Sequence, residues 1–120
     1  MSQMDYKTAL IVGVGSGLSA SLAARRAANL TALAQETGAK SFACDATNRA
    51  DVTKLFADVE AALGAPDVVI YNASYRTRGP FVELDPDEVA KSINVTAFAG
   101  FLVAQEAARR MPVSYTHLTL

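Results

Sequence analysis

Three stretches of the 120-residue chain carry residue types that could do chemistry. The first, Val12-Gly13-Val14-Gly15-Ser16-Gly17-Leu18-Ser19, follows an apolar run. Glycine accepts positive φ, removes the Cβ that would obstruct a phosphate, and leaves the N–H groups of a following helix turned toward the anion. A tight strand-to-helix turn also favours glycine, so this run alone reads equally well as structure. The second is Asp45, directly after Ser41-Phe-Ala-Cys44; its carboxylate can meet a ligand or cap the next turn. The third, Tyr71-Asn72-Ala73-Ser74, closes another apolar run, and Asn there serves a ligand or a local turn. Asn94 is a fourth candidate, a polar residue among Ile93, Val95, Ala97 and Phe98 in a segment that reads as helix.

The elements that position these residues can be read from hydrophobic spacing. The runs Thr8–Val14, Ser41–Cys44 and Asp67–Tyr71 read as strands buried on both faces, as in a parallel sheet. Val52, Leu55, Phe56, Val59, Ala62 and Leu63 recur at steps of three and four. They predict a helix of about 15 residues, capped by Thr47 or Asn48 and ended by Gly64 and Pro66. A further helix starts at Leu84-Asp-Pro-Asp-Glu88, with Asp85 as cap, Pro86 in the first turn and Glu88 closing a capping box. Val89, Ile93, Ala97 and Phe101 give it an apolar stripe. Strands alternating with helices imply an α/β fold with a parallel sheet, whose ligands bind outside the carboxyl ends of the strands. The glycine turn, Asp45 and Asn72 would then converge on one crevice. The stretch Gly17–Gly38 reads as one long helix, with the flaw that Arg26 falls in the stripe of Leu18, Leu22 and Leu33.

Composition narrows the function classes. Half of the chain is apolar (51%), 19% is charged, and the net charge is −1. That is a globular composition without the basic footprint of a nucleic-acid or anionic-membrane partner. No apolar run has the length of a membrane helix, and no secretory leader is evident, so a cytoplasmic location is expected. One Cys44 and one His117 make neither an internal disulfide nor a structural zinc site. Cys44 reads as a small core residue. A flavodoxin-like or receiver-type signalling domain suits this length, but a receiver needs an acidic cluster after its first strand, and Gly13–Ser16 offers no carboxylate.

The order of these features resembles the short-chain dehydrogenase/reductase family. Its T-G-x-x-x-G-x-G turn falls on Val12, Gly13, Gly17 and Ser19, its adenine-contacting Asp on Asp45 followed by Ala46, and its N-N-A-G segment on Tyr71-Asn72-Ala73-Ser74. Its helical Asn, which supports a proton relay, falls on Asn94. The resemblance spans roughly residues 5 to 111 and departs at Val12, Ser19, Tyr71 and Ser74. It implies a Rossmann-like parallel sheet and a cofactor, NADP or NAD. Gly13, Ser16, Gly17 and Leu18 would cradle the pyrophosphate, Asp45 and Ala46 the adenine, and Asn72, Ala73 and Ser74 the adenosine ribose side. The substrate would be a small carbonyl or alcohol, and the parent enzyme a homodimer or homotetramer built partly on the helix from Pro86 onward. Tyr75, Arg76 and Arg78 could line a substrate entrance, although solvated loop charges explain them as well.

Two departures bear on activity. The family's acid/base pair is Tyr-x-x-x-Lys, and Tyr6, Tyr71, Tyr75 and Tyr115 are followed four positions on by Leu10, Tyr75, Gly79 and Thr119. A tyrosine without a nearby cation keeps a pKa near ~10, a poor acid or base at neutral pH. The chain is therefore expected to be inactive by itself, a truncated copy whose alternative role is a non-catalytic nucleotide-binding module. Gly13 and Asn72 stand 59 positions apart, short of the family's usual spacing. The second strand is accordingly expected to be largely missing, with Ala23-Ala-Arg-Arg26 as its tail and a three-stranded sheet as the outcome. Arg25 and Arg26 then favour NADP through its 2′-phosphate, or are solvated helix arginines. Residues 1–111 are read as a partial dinucleotide-binding domain. Residues 112–120, which resemble a translated sequencing adaptor, are read as a non-native tail that leaves Tyr115 and His117 without a role.

Overall fold

The computed structural model describes residues 7–13 and 38–111, the backbone of 21–24, and residue 35. Four parallel strands form one sheet: β1 (Ala9–Val12), β2 (Ser21–Ala24), β3 (Ser41–Ala43) and β4 (Val68–Tyr71), in the order β3-β2-β1-β4. In register, Val12 pairs with Ala23 and Tyr71, and Ala24 with Ala43, so the carboxyl ends of all four strands lie along one edge. The α/β class with a Rossmann-like sheet is as the sequence implies. β2 is the correction: Ser21–Ala24 is a strand rather than part of a helix over Gly17–Gly38, and a three-stranded sheet does not form. The physical reason is backbone pairing. Ser-Leu-Ala-Ala has little strand propensity of its own, but β1 on one side and β3 on the other satisfy its N–H and C=O groups.

Helix α1 (Arg49–Leu63) starts where Asn48 Oδ1 accepts from Ala50 N–H (2.9 Å) and Asp51 N–H (3.2 Å), and stops at Gly64 with φ +87°. Its stripe of Val52, Leu55, Phe56 and Val59 is buried against Leu10, Val12 and Cys44, whereas the last two residues of the expected stripe, Ala62 and Leu63, are exposed. Burying such side chains supplies roughly 1.5–3 kcal/mol each, which is why this face organises the core. Helix α2 (Pro86–Ile93) begins at Asp85, whose carboxylate accepts from Asp87 N–H (2.9 Å). Glu88, expected to close a capping box, instead takes a hydrogen bond from the Tyr75 hydroxyl.

A single π turn, Asn94–Phe98, joins α2 to α3 (Ala99–Arg110) without breaking the helical path. The extra residue rotates α3 about the common axis. Ala99, Leu102, Val103 and Ala107 enter the core, while Ile93 (62% exposed) and Phe101 (56%), from the stripe expected at steps of four, stay outside. Two further ties close the structure. Asp67 accepts from the N–H groups of Lys7 (2.8 Å) and Thr8 (2.9 Å) at the amino end of β1. Arg110 bridges Glu106 on its own helix (2.9 Å) and Glu60 on α1 (3.1 Å).

Candidate functional site

The sheet order reverses direction between β1 and β4, and Gly13 meets the β4 exit at that switch point. Asn72 N–H donates to the Val12 carbonyl (2.8 Å), and the Asn72 side-chain amide donates to the Gly13 carbonyl (3.3 Å). Gly13 has φ +88°, and a Cβ there would stand 2.3 Å from Ala73 N and 2.5 Å from its Cα. Both the positive φ and the backbone approach require glycine. Gly13, Asn72 and Ala73 are thus brought together, with Ser74 next on the exposed strand exit.

Asp45 and Ala46 stand two strands away, at the carboxyl end of β3. The Asp45 carboxylate accepts from Thr47 N–H (3.1 Å) and from the Thr47 hydroxyl (2.7 Å). Its own N–H donates to Asp51 Oδ2 (3.2 Å). The turn-capping role is therefore real, and it holds the carboxyl at the strand edge. Ala46 packs partly against the core. Buried Cys44 sits just behind; desolvation first, then the charges of Asp51 and Asp45, push its thiol up to about 11. That is a core thiol, not a nucleophile. Ser16, Gly17, Leu18, Arg25, Arg26 and the tail 112–120 lie outside the described residues. The chain places Arg25 and Arg26 directly after the last residue of β2.

Asn94 opens the π turn beside the β4 exit. Its N–H is shared between the Ala90 and Lys91 carbonyls, and its own carbonyl accepts from Ala99 N–H. Such turns recur at functional sites. The segment after β4 is fastened to this helix through Tyr75. Ser92 Oγ donates to the Tyr75 carbonyl (2.6 Å), Tyr75 N–H donates to Thr96 Oγ1 (3.1 Å), and Lys91 Nζ lies 4.2 Å from the Tyr75 ring centroid. Tyr75 is thus a clasp, with Arg76 and Arg78 exposed beyond it. The sequence reading missed Tyr71, whose hydroxyl donates to the Val95 carbonyl. It also missed Gly100, where a Cβ would come within 3.2 Å of the Tyr71 ring. A signal existed: mid-helix glycine costs about 1 kcal/mol against alanine, so it needs a packing reason.

Comparison with known proteins fits this geometry. The profile of the family described as enoyl-(acyl carrier protein) reductase matches residues 15–119. The chain belongs to the short-chain dehydrogenase/reductase family of oxidoreductases. That membership sets aside the receiver-type reading. Among curated relatives, the cyclic-di-GMP-binding biofilm dispersal mediator protein of Escherichia coli (strain K12) is 32% identical over 126 residues, covering 93% of this chain and 52% of that protein. The D-threitol dehydrogenase of Mycolicibacterium smegmatis is 28% identical, covering 91% and 49%. A short-chain dehydrogenase/reductase from Serratia marcescens superposes with TM-score 0.72 at 25% identity, over 88% of this chain and 51% of that one. The actinorhodin polyketide ketoreductase with NADPH shares the fold, with TM-score 0.77 at 22% identity, over 91% and 49%. The chain spans about half the length of the curated relatives it matches. The 126-residue alignment exceeds this 120-residue chain while using 93% of it, so the relative has residues inside the matched span that this chain lacks.

Proposed function

We propose that the chain is the dinucleotide-binding half of an NAD(P)-dependent oxidoreductase acting on a small carbonyl or alcohol, with NADP preferred. The observation that carries this reading is the meeting of Gly13 with Asn72 and Ala73 at the switch point between β1 and β4. The donor set suits a dinucleotide: a bare glycine turn, amide groups at Asn72, a carboxylate at Asp45, and two arginines following β2. Gly13, Ser16, Gly17 and Leu18 bind the pyrophosphate, Asp45 and Ala46 the adenine, and Asn72, Ala73 and Ser74 the adenosine ribose side. Arg25 and Arg26 pair with a 2′-phosphate. Bound nicotinamide would supply hydride chemistry. Asn94 serves the proton relay, whose acid/base tyrosine has no candidate in these 120 residues, so the chain by itself binds without turnover.

A structure from Burkholderia cenocepacia, a putative dehydrogenase with bound NADP, supports the cofactor class by analogy of fold. A second reading, a nucleotide-binding module without redox chemistry, has the E. coli relative's named cyclic-di-GMP binding in its favour. We infer that the chain self-associates through the α2–α3 flank, a reading supported by the exposure of Ile93, Phe98 and Phe101. Titration of the purified chain with NADPH, NADH and cyclic-di-GMP decides among these. Saturable binding tightest for NADPH, with the preference over NADH lost in Arg25→Ala/Arg26→Ala, is expected. Binding of cyclic-di-GMP alone would replace the first reading with the second.

A further inference from the structure

The π turn that presents Asn94 is held from outside the helix. On the sheet side Tyr71, the last residue of β4, donates its hydroxyl to the Val95 carbonyl. Its ring reaches that carbonyl across Gly100, where a Cβ would stand 3.2 Å from Cδ1 and 3.3 Å from Cε1. On the loop side the Thr96 hydroxyl is tied to Tyr75 N–H (3.1 Å) and to the Tyr75 carbonyl (3.2 Å). Within the helix, Ala99 N–H reaches back five residues to the Asn94 carbonyl. The Tyr71 ring is half-buried, and desolvation raises its pKa, which keeps the hydroxyl a donor at neutral pH.

We propose that Tyr71 is a positioning residue: seated across Gly100, its hydroxyl holds the wide turn in the helix and thereby sets where Asn94 stands beside the carboxyl end of β4. The assignment deepens the proposed oxidoreductase reading and rests on it for the role of Asn94. A tyrosine that merely filled space would need no acceptor on the helix, and a helix that merely packed would gain stability from alanine at 100. Here the two residues answer one another. The bare position admits the ring, and the ring delivers a donor to the turn.

The test uses the isotope-labelled 120-residue chain. Tyr71→Phe keeps the ring and removes only the hydroxyl. It is expected to speed amide exchange at Ala99 about tenfold, the loss of one hydrogen bond's worth of protection, and to displace the Asn94 side-chain amide resonance. Exchange at Phe56 and Val59 in α1 stays unchanged. Gly100→Ala, which pushes the ring away, is expected to move the same two signals. Should Tyr71→Phe fail to fold, the unsubstituted chain still reports, because the Val95 carbonyl carbon should follow the high-pH titration of the Tyr71 hydroxyl. Asn94 and Ala99 signals unmoved in Tyr71→Phe, or a Val95 carbonyl indifferent to that titration, would overturn the assignment. Dinucleotide binding is measured separately on the same sample; its absence sinks the functional reading and leaves these signals untouched, so the two fail independently.

Discussion

Two residues give the sharpest expectations at the residue scale. Gly13→Ala must place a Cβ against the Ala73 backbone at a φ of +88°. Strain and overpacking together should cost about 2–4 kcal/mol of unfolding free energy, and dinucleotide binding should vanish with the turn. Chemical denaturation alongside NADPH titration checks both, and a stable variant that still binds would contradict the geometry. Cys44 makes a pH prediction. Its thiol pKa is raised from 9.0 to about 11 in the folded chain. The folded state therefore holds the proton more tightly than the unfolded state, so the contribution is fully present below pH 9 and is lost between pH 9 and about 11. From neutral pH, melting temperature should stay level up to about pH 9 and then fall, and Cys44→Ala should flatten part of that fall. Tyr71, raised by burial from 10.0, adds a decline at higher pH of the same sign.

At the scale of elements, the core helix and the helix ends carry separable contributions. Phe56 is fully buried on α1, and Phe56→Ala should cost about 3–5 kcal/mol, enough to unfold a marginal domain. Arg110→Ala removes the bridge from α3 to Glu60 of α1. Because that pair is partly exposed, the loss should be no more than about 1 kcal/mol, readable as a small shift in urea midpoint. α1 was legible because its periodicity, its Asn48 cap and its Gly64 stop agree with one another. β2 was not: Ser-Leu-Ala-Ala lacks the branched and aromatic residues that mark strands, and its conformation comes from pairing with β1 and β3. The stripe through Ile93 and Phe101 misled for another reason. Counting by fours assumes an unbroken α-helix, and the π turn shifts Leu102, Val103 and Ala107 onto the buried side. At the site, the meeting of Gly13 with Asn72 could be read from strand-end residues, whereas a glycine in mid-helix at 100 signals only that something packs there, and its partner Tyr71 is set by the tertiary fold.

For the whole molecule, the proposed self-association bears on the outer flank of α2 and α3. Phe98 and Phe101 stack with centroids 6.4 Å apart and are about half exposed, and Ile93, one turn earlier in the chain, is exposed as well. Such surface favours association. Sedimentation velocity should show concentration-dependent self-association, relieved in the double substitution Phe98→Ser/Phe101→Ser. A chain monomeric at every concentration would refute the assignment of that flank. Among the described residues no helix is long and apolar enough to cross a membrane, and no group of His, Cys, Asp and Glu could hold a metal ion.

The contact between Gly13 and Ala73 also has a genetic consequence. Every single-base change that alters a glycine codon, short of a stop, installs at least a Cβ. Position 13 therefore has no conservative neighbour within one mutational step. In a survey of all single substitutions scored for folding, neighbouring strand positions should show graded tolerance, while codon 13 should read as an empty column.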